Sequence, residues 1–232
     1  MEKRRKRFRK GRLLPIALLL LLAGTLALKG ADTVWRIWQE NRILSSADYG
    51  ETADDGTPWY LLLVNSTHPL PDDWEAPALI EMPGGETVDA RIYEPLSQML
   101  ADAADEGLEP FVASGFRTRT EQQGFMDEKI NEYRSQGYGE SEARALAEDW
   151  VALPGTSEHE LGLAVDINGA SYDLYIWLQQ NSWRYGFIQR YPEDKTDITG
   201  ISHEPWHYRY VGKDAAKEIY ESGLCLEEYL GG

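Results

Sequence analysis

An aspartate sits inside the apolar run Leu163-Ala164-Val165-Asp166-Ile167, and that one position restricts what the chain can become. The run is short, bounded by Gly162 and rich in branched apolar residues, so it reads as a buried strand. A carboxylate in such a strand is costly unless a cation or hydrogen-bond donors meet it. The fold must therefore bring a partner to Asp166. His159 precedes it by seven residues, too many for one helical turn, with Gly162 between them. A loop or helix end carrying His159, followed by a strand carrying Asp166, can aim both groups into one cleft. Taken alone, the pair also fits a capping aspartate and an ordinary surface histidine.

A second segment narrows the choice. His207 lies in the aromatic stretch Trp206-His207-Tyr208-Arg209-Tyr210, an odd place for a free imidazole. His159, Asp166 and His207 together make the ligand set of a catalytic zinc with one position left open. Glu204, three residues before His207, stands where a general base is needed; a salt bridge to a nearby cation is its plainer role. Arg117 follows a strand end and precedes a helix, so its guanidinium can meet a developing oxyanion, or form a surface ion pair in an acidic domain. Ser114, Gln122 and Ser157 are candidate hydrogen-bond partners for a substrate. His203 alternates to the side opposite Glu204, and His68 falls in a Pro-rich stretch; both read as surface residues.

Charge is divided unevenly over the 232 residues. Residues 1–12 hold eight Lys and Arg against Glu2, which leaves 15 basic and 38 acidic residues in the remainder, a net of −23. So acidic a body repels nucleic acid. The basic head runs into Leu13–Leu28, sixteen residues without a charge. That order is the mark of an export signal with its basic side in the cytoplasm. The small residues near Ala27 and Ala31 lack a clean cleavage pattern, so an uncleaved signal anchor over residues 13–30 is expected, ahead of a removed signal peptide. Residues 31–58 then form a polar linker and residues 59–232 the exported domain. The single cysteine, Cys225, permits no intrachain disulfide, so the domain must rest on its core and its metal.

Within that domain Trp59–Val64 reads as a buried strand and residues 65–88 as an irregular, Pro- and Gly-rich wrap. Ile92, Leu96, Met99, Leu100 and Ala103 make one helical face closed by Gly107. Phe111–Ala113 reads as a strand. Thr118-x-x-Glu121 is a capping-box pattern, and Phe125, Met126, Ile130 and Tyr133 form the apolar side of the helix after it. Further helices are expected over Ser141–Val151, Tyr172–Trp183 and Asp214–Ser222, the last being the final element, and a strand over Trp206–Val211. Short strands mixed with helices, without regular alternation, indicate α+β: a small antiparallel sheet flanked by helices, preceded by a membrane helix.

Three clusters, Ser114-Gly115-Phe116-Arg117 with Glu121-Gln122, Ser157-x-His159-x-x-Gly162-x-Ala164-x-Asp166, and Glu204-x-Trp206-His207-x-Arg209, resemble the signatures of VanY-type D-alanyl-D-alanine carboxypeptidases. The resemblance extends from about Leu61 to Gly212. It implies a Hedgehog- and lysostaphin-like α+β fold and zinc held by His159, Asp166 and His207. It further implies Glu204 as catalytic base, Arg117 stabilising the tetrahedral intermediate, and a D-alanine-terminated peptidoglycan stem peptide as substrate. Phe116 stands where the family has Tyr, and Thr118 where it has Ser. The stretch Asn131–Ala152 is longer than the family needs and is expected to form a lid or rim. Two other outcomes are open: an L,D-carboxypeptidase acting on tetrapeptide stems, and a non-catalytic wall-binding module.

Overall fold

The computed structural model describes residues 56–231. The basic segment 1–12, the expected membrane segment 13–30 and nearly all of the linker lie outside the described residues. Among those described, no helix is long and apolar enough to cross a membrane.

The domain is α+β. Its strands are β1 (Leu79–Glu81), β2 (Thr87–Asp89), β3 (Phe111–Ser114), β4 (Ala164–Asn168), β5 (Phe187–Tyr191) and β6 (Glu204–Tyr210). Its helices are α1 (Tyr93–Asp105), α2 (Arg119–Ser135), α3 (Glu140–Glu148), α4 (Asp173–Asn181), α5 (Thr196–Thr199), α6 (Lys213–Ser222) and α7 (Leu226–Leu230). β1 and β2 form a hairpin, and the other strands make one sheet in the order β3-β4-β6-β5, antiparallel throughout.

One face of that sheet is the core. Val112, Val165, Ile167, Phe187 and Tyr208 pack with Leu96 and Met99 of α1 and with Leu174 and Leu178 of α4. Each such buried side chain contributes roughly 1.5–3 kcal/mol. Side chains alternate along a strand, so the residues between them, Asp166 and His207, are sent to the other face. There α2 and α3 pair through Met126, Ile130, Ala143 and Ala147. The Thr118 capping box opens α2 as expected: Thr118 accepts from the Glu121 N–H, and Glu121 accepts from the Thr118 N–H at 2.8 Å.

Several expectations need correction. Trp59–Val64 is not a strand: Trp59–Leu61 is a 3₁₀ turn followed by extended chain. Its backbone goes to a side chain, for Arg209 Nη2 donates to the Tyr60 and Leu62 carbonyls at 3.2 and 2.9 Å, while Trp59 stacks on Tyr210. The stretch expected to be irregular contains the β1–β2 hairpin, turned at Gly84-Gly85. β5 was not foreseen, since Gln189 and Arg190 break its apolar run, yet both Phe187 and Arg190 are buried. A further short helix, α7, follows α6, with the free, buried Cys225 at its N-cap. Phe125 does not join the α2 packing face; it is 42% exposed.

Candidate metal centre

Strand register makes the first contact of the site. Asp166 on β4 is paired directly with His207 on β6, and Ser114 on β3 faces Asp166 from the other side. His159 arrives from a 3₁₀ turn, Glu158–Leu161, ended by Gly162 at φ +70°. A side chain at Gly162 would also stand 3.0 Å from the Asp89 backbone nitrogen, so the turn needs glycine twice over. His159 Nδ1 lies 2.7 Å from the Gly115 carbonyl and donates to it, which leaves Nε2 as a lone-pair donor 3.5 Å from Asp166 Oδ1. His207 Nδ1 stands 3.1 Å from the same oxygen.

The three ligand atoms all lie within 4.8 Å of one another. Donors on a tetrahedron with zinc arms of ~2.1 Å stand roughly 3.4 Å apart, so the two measured edges bracket that spacing. Asp166 Oδ1 is buried without a hydrogen-bond partner, an orphan acceptor aimed into the triangle. The electrostatics agree. Burial opposes charge on His207, yet Asp166 and Glu158 outweigh it and carry the imidazole up to about 9. His159, by contrast, is pushed down to about 4, first by burial and then by Arg117. Burial also works against ionised Asp166, but the histidines hold it well below the usual carboxylate range. An anionic pocket that draws a proton onto one imidazole and keeps the other neutral suits a divalent cation.

Glu204 is 8% exposed, with Oε2 at 3.5 Å from His207 Nδ1. Burial, reinforced by Asp166 and opposed by His207 and Arg117, pushes its carboxyl up to about 7. Arg117 Nη2 donates to Asp166 Oδ2 at 2.6 Å, its Nε to Ser114 Oγ at 2.8 Å, and its Nη1 to Gln122 Oε1 at 3.4 Å. Its guanidinium lies 4.2 Å from the centre of the Phe125 ring.

Most of these groups border a cleft of about 310 Å³. His159, Asp166, His207, Glu204, Arg117, Gln122 and Ser157 line it; Ser114 does not. Ser114 is thus a support for Arg117 and not a wall of the cleft, because its hydroxyl is turned to the guanidinium. Sequence reading missed Phe125, Lys129, Trp150, Tyr191 and Trp206, which also line it. For Trp150 the sequence did carry a signal, its place near the end of the long Asn131–Ala152 stretch expected to form a lid or rim. His203 borders a different cavity beside Tyr172 and Tyr175, and His68 is exposed in a turn with Asn65.

Two imidazoles and a carboxylate converging beside a cleft, with a buried glutamate next to them, define a metal-dependent hydrolase. Comparison with known proteins carries this to a family. Residues 85–213 match the family model described as VanY, D-alanyl-D-alanine carboxypeptidase. A D-alanyl-D-alanine carboxypeptidase of Enterococcus faecalis is 49% identical over 197 residues, covering 83% of this chain and 72% of its own. Two solved structures are each 53% identical with a TM-score of 0.72. One, a mutant of the D,D-pentapeptidase VanY from a VanB-type resistance cassette in complex with Zn(II), covers 74% of this chain and 99% of its own. The other, VanYB in complex with D-alanine-D-alanine, covers 75% and 98%. The chain belongs to the VanY family of D-alanyl-D-alanine carboxypeptidases.

Proposed function

We propose that this chain is a zinc-dependent carboxypeptidase that removes the terminal D-alanine from peptidoglycan stem peptides. The observation that carries the reading is the meeting of His159, Asp166 and His207, drawn from separate segments, with Glu204 3.5 Å from a ligand nitrogen. His159 Nε2, Asp166 Oδ1 and His207 Nδ1 would hold the ion. Zinc supplies Lewis acidity there, polarising the scissile carbonyl and acidifying a water. Glu204 takes the proton of the attacking water and returns it to the departing amine of D-alanine. Its burial suits both roles, since a carboxyl poised near neutrality can accept and release a proton. Arg117 sets positive charge beside the carbonyl oxygen as that oxygen becomes anionic. Asp166 and Ser114 hold the guanidinium in place, so it need not reorganise when charge develops. Gln122 and Ser157 offer hydrogen bonds to the peptide. Phe125, Trp150 and Trp206 provide apolar wall for it.

The basic residues 1–12 and the apolar run after them support a location at the outer face of a bacterial membrane, held by an uncleaved signal anchor. Protease accessibility of the domain in intact cells tests that placement.

Mass spectrometry of purified muropeptides after incubation tests the activity. Loss of a single D-alanine from pentapeptide stems, abolished by chelator and restored by zinc, is the expected result. Consumption of tetrapeptide stems in place of pentapeptides would make the enzyme an L,D-carboxypeptidase. Wall binding without cleavage would make it a binding module.

A further inference from the structure

Behind His207 lies a buried charge cluster that the proposed mechanism does not use. Glu158 is 1% exposed and Arg190 likewise, while Arg209 is fully buried. Glu158 Oε1 accepts from Arg190 Nε at 2.8 Å and faces Arg209 Nη1 at 3.0 Å. Arg190 in turn grips both oxygens of Glu227, and Glu227 also accepts from Asn65 Nδ2 at 3.1 Å. Two carboxylates thus balance two guanidiniums. Only one oxygen of Glu158 is used by them. Its Oε2 is buried with no hydrogen-bond partner, and so is Nε2 of His207, 3.9 Å away.

Two orphaned buried polar atoms of complementary type facing each other call for an explanation. His207 turns Nδ1 toward Asp166, and a nitrogen that donates its lone pair to a metal forces the ring proton onto the other nitrogen. That N–H has Glu158 Oε2 before it. We propose that Glu158 is a positioning residue for the metal centre, its Oε2 accepting the Nε2–H of His207 and so fixing the imidazole tautomer that aims Nδ1 at the metal. A shift of about 1 Å brings the pair to hydrogen-bond distance. Arg190 and Arg209 hold the carboxylate for this task, and Glu227, on α7, holds Arg190. The C-terminal helix is by this route part of the support of the metal site. The inference rests on the reading of His207 as a ligand.

The test uses the full chain loaded with zinc. In ¹⁵N NMR, His207 should show a proton on Nε2 that exchanges slowly with solvent, and Nδ1 bound to the ion. Zinc affinity, read by competition with a chromophoric chelator, should fall about 10–100-fold in Glu158→Gln, as expected for loss of a carboxylate behind a ligating histidine. Glu158→Asp keeps the charge beside the guanidiniums but withdraws the oxygen from His207; it should fold and still bind zinc several-fold more weakly than the parent. Zinc bound through His207 Nε2, or a folded Glu158→Asp whose affinity matches the parent, overturns the inference. If Glu158→Gln fails to fold, the tautomer measured on the unaltered protein decides. Absence of zinc binding by the parent overturns the reading of the site itself and the inference with it, so the two failures are told apart.

Discussion

Glu204 shows how one residue is aimed against the simple rule. Strict alternation along β6 would place residues 204 and 207 on opposite faces. The structure instead sets Glu204 beside His207, because β6 bulges against β5: Gln189 pairs with Tyr208 but Tyr191 with Glu204, so two steps on one strand match four on the other. Pro205, which has no N–H to give to a ladder, sits inside the bulge. Glu204→Gln should therefore keep its zinc, measured by metal analysis, and lose at least about 10²–10⁴-fold in kcat, the usual worth of a placed acid–base group. The pH profile follows from the same burial. A carboxyl raised to about 7 is protonated below that value and useless as a base, so kcat/KM should fall as pH drops. A bound cation pulls the carboxyl down from there, so the acid limb belongs at or below about pH 7. A limb centred above 8 would remove Glu204 from that role.

At the scale of elements, the loop Ser114–Arg117 does more than carry an arginine. Phe116 N donates to Thr87 O at 2.6 Å, which ties the β1–β2 hairpin to the loop. A Cβ on Gly115 would stand 2.2 Å from that same carbonyl oxygen, so only glycine lets the two backbones approach. The Gly115 carbonyl is also the acceptor that orients His159. Gly115→Ala should cost about 1–3 kcal/mol, as overpacking does, and should weaken zinc binding together with the thermal midpoint. Thr118→Ala gives the contrast. Losing the cap of α2 costs about 1 kcal/mol, lowering the midpoint while leaving zinc affinity near that of the parent, because α2 supplies no ligand. Equal loss of zinc affinity in both variants would break the link between Gly115 and His159.

For the domain as a whole, stability has two sources beyond the apolar core. Metal linkage is one: zinc at a thousand times its Kd adds ~4 kcal/mol. Stripping with chelator should thus lower the midpoint of thermal unfolding, and zinc should restore it. The buried cluster is the other. Burial opposes ionisation of Glu227, but its bonds to Arg190 outweigh that and lower its pKa. A group depressed in the folded state contributes stability above its unfolded pKa and loses it as pH falls through the folded value. Acid unfolding of the metal-free protein should accordingly shift to higher pH in Glu227→Gln, read by circular dichroism.

Much of the molecule was legible in the chain because its signals are local. Residue spacing marked α1, the box Thr118-x-x-Glu121 marked the start of α2, and an aspartate inside an apolar strand demanded a partner wherever the strand went. The residues bordering the cleft at His159, Asp166, Glu204 and His207 came from that same logic. The β1–β2 hairpin, β5 and the turn at Trp59 did not, since each leans on groups distant in sequence: Phe116 bonds the hairpin at Thr87, Glu158 and Glu227 meet the Arg190 that β5 buries, and Arg209 holds the carbonyls of the turn. The face on which Glu204 lies, the turn of Ser114 toward Arg117, and the line from Glu227 to His207 were likewise decided only by packing. Amino-acid order sets which groups must find company; close packing and strand register determine which company they keep.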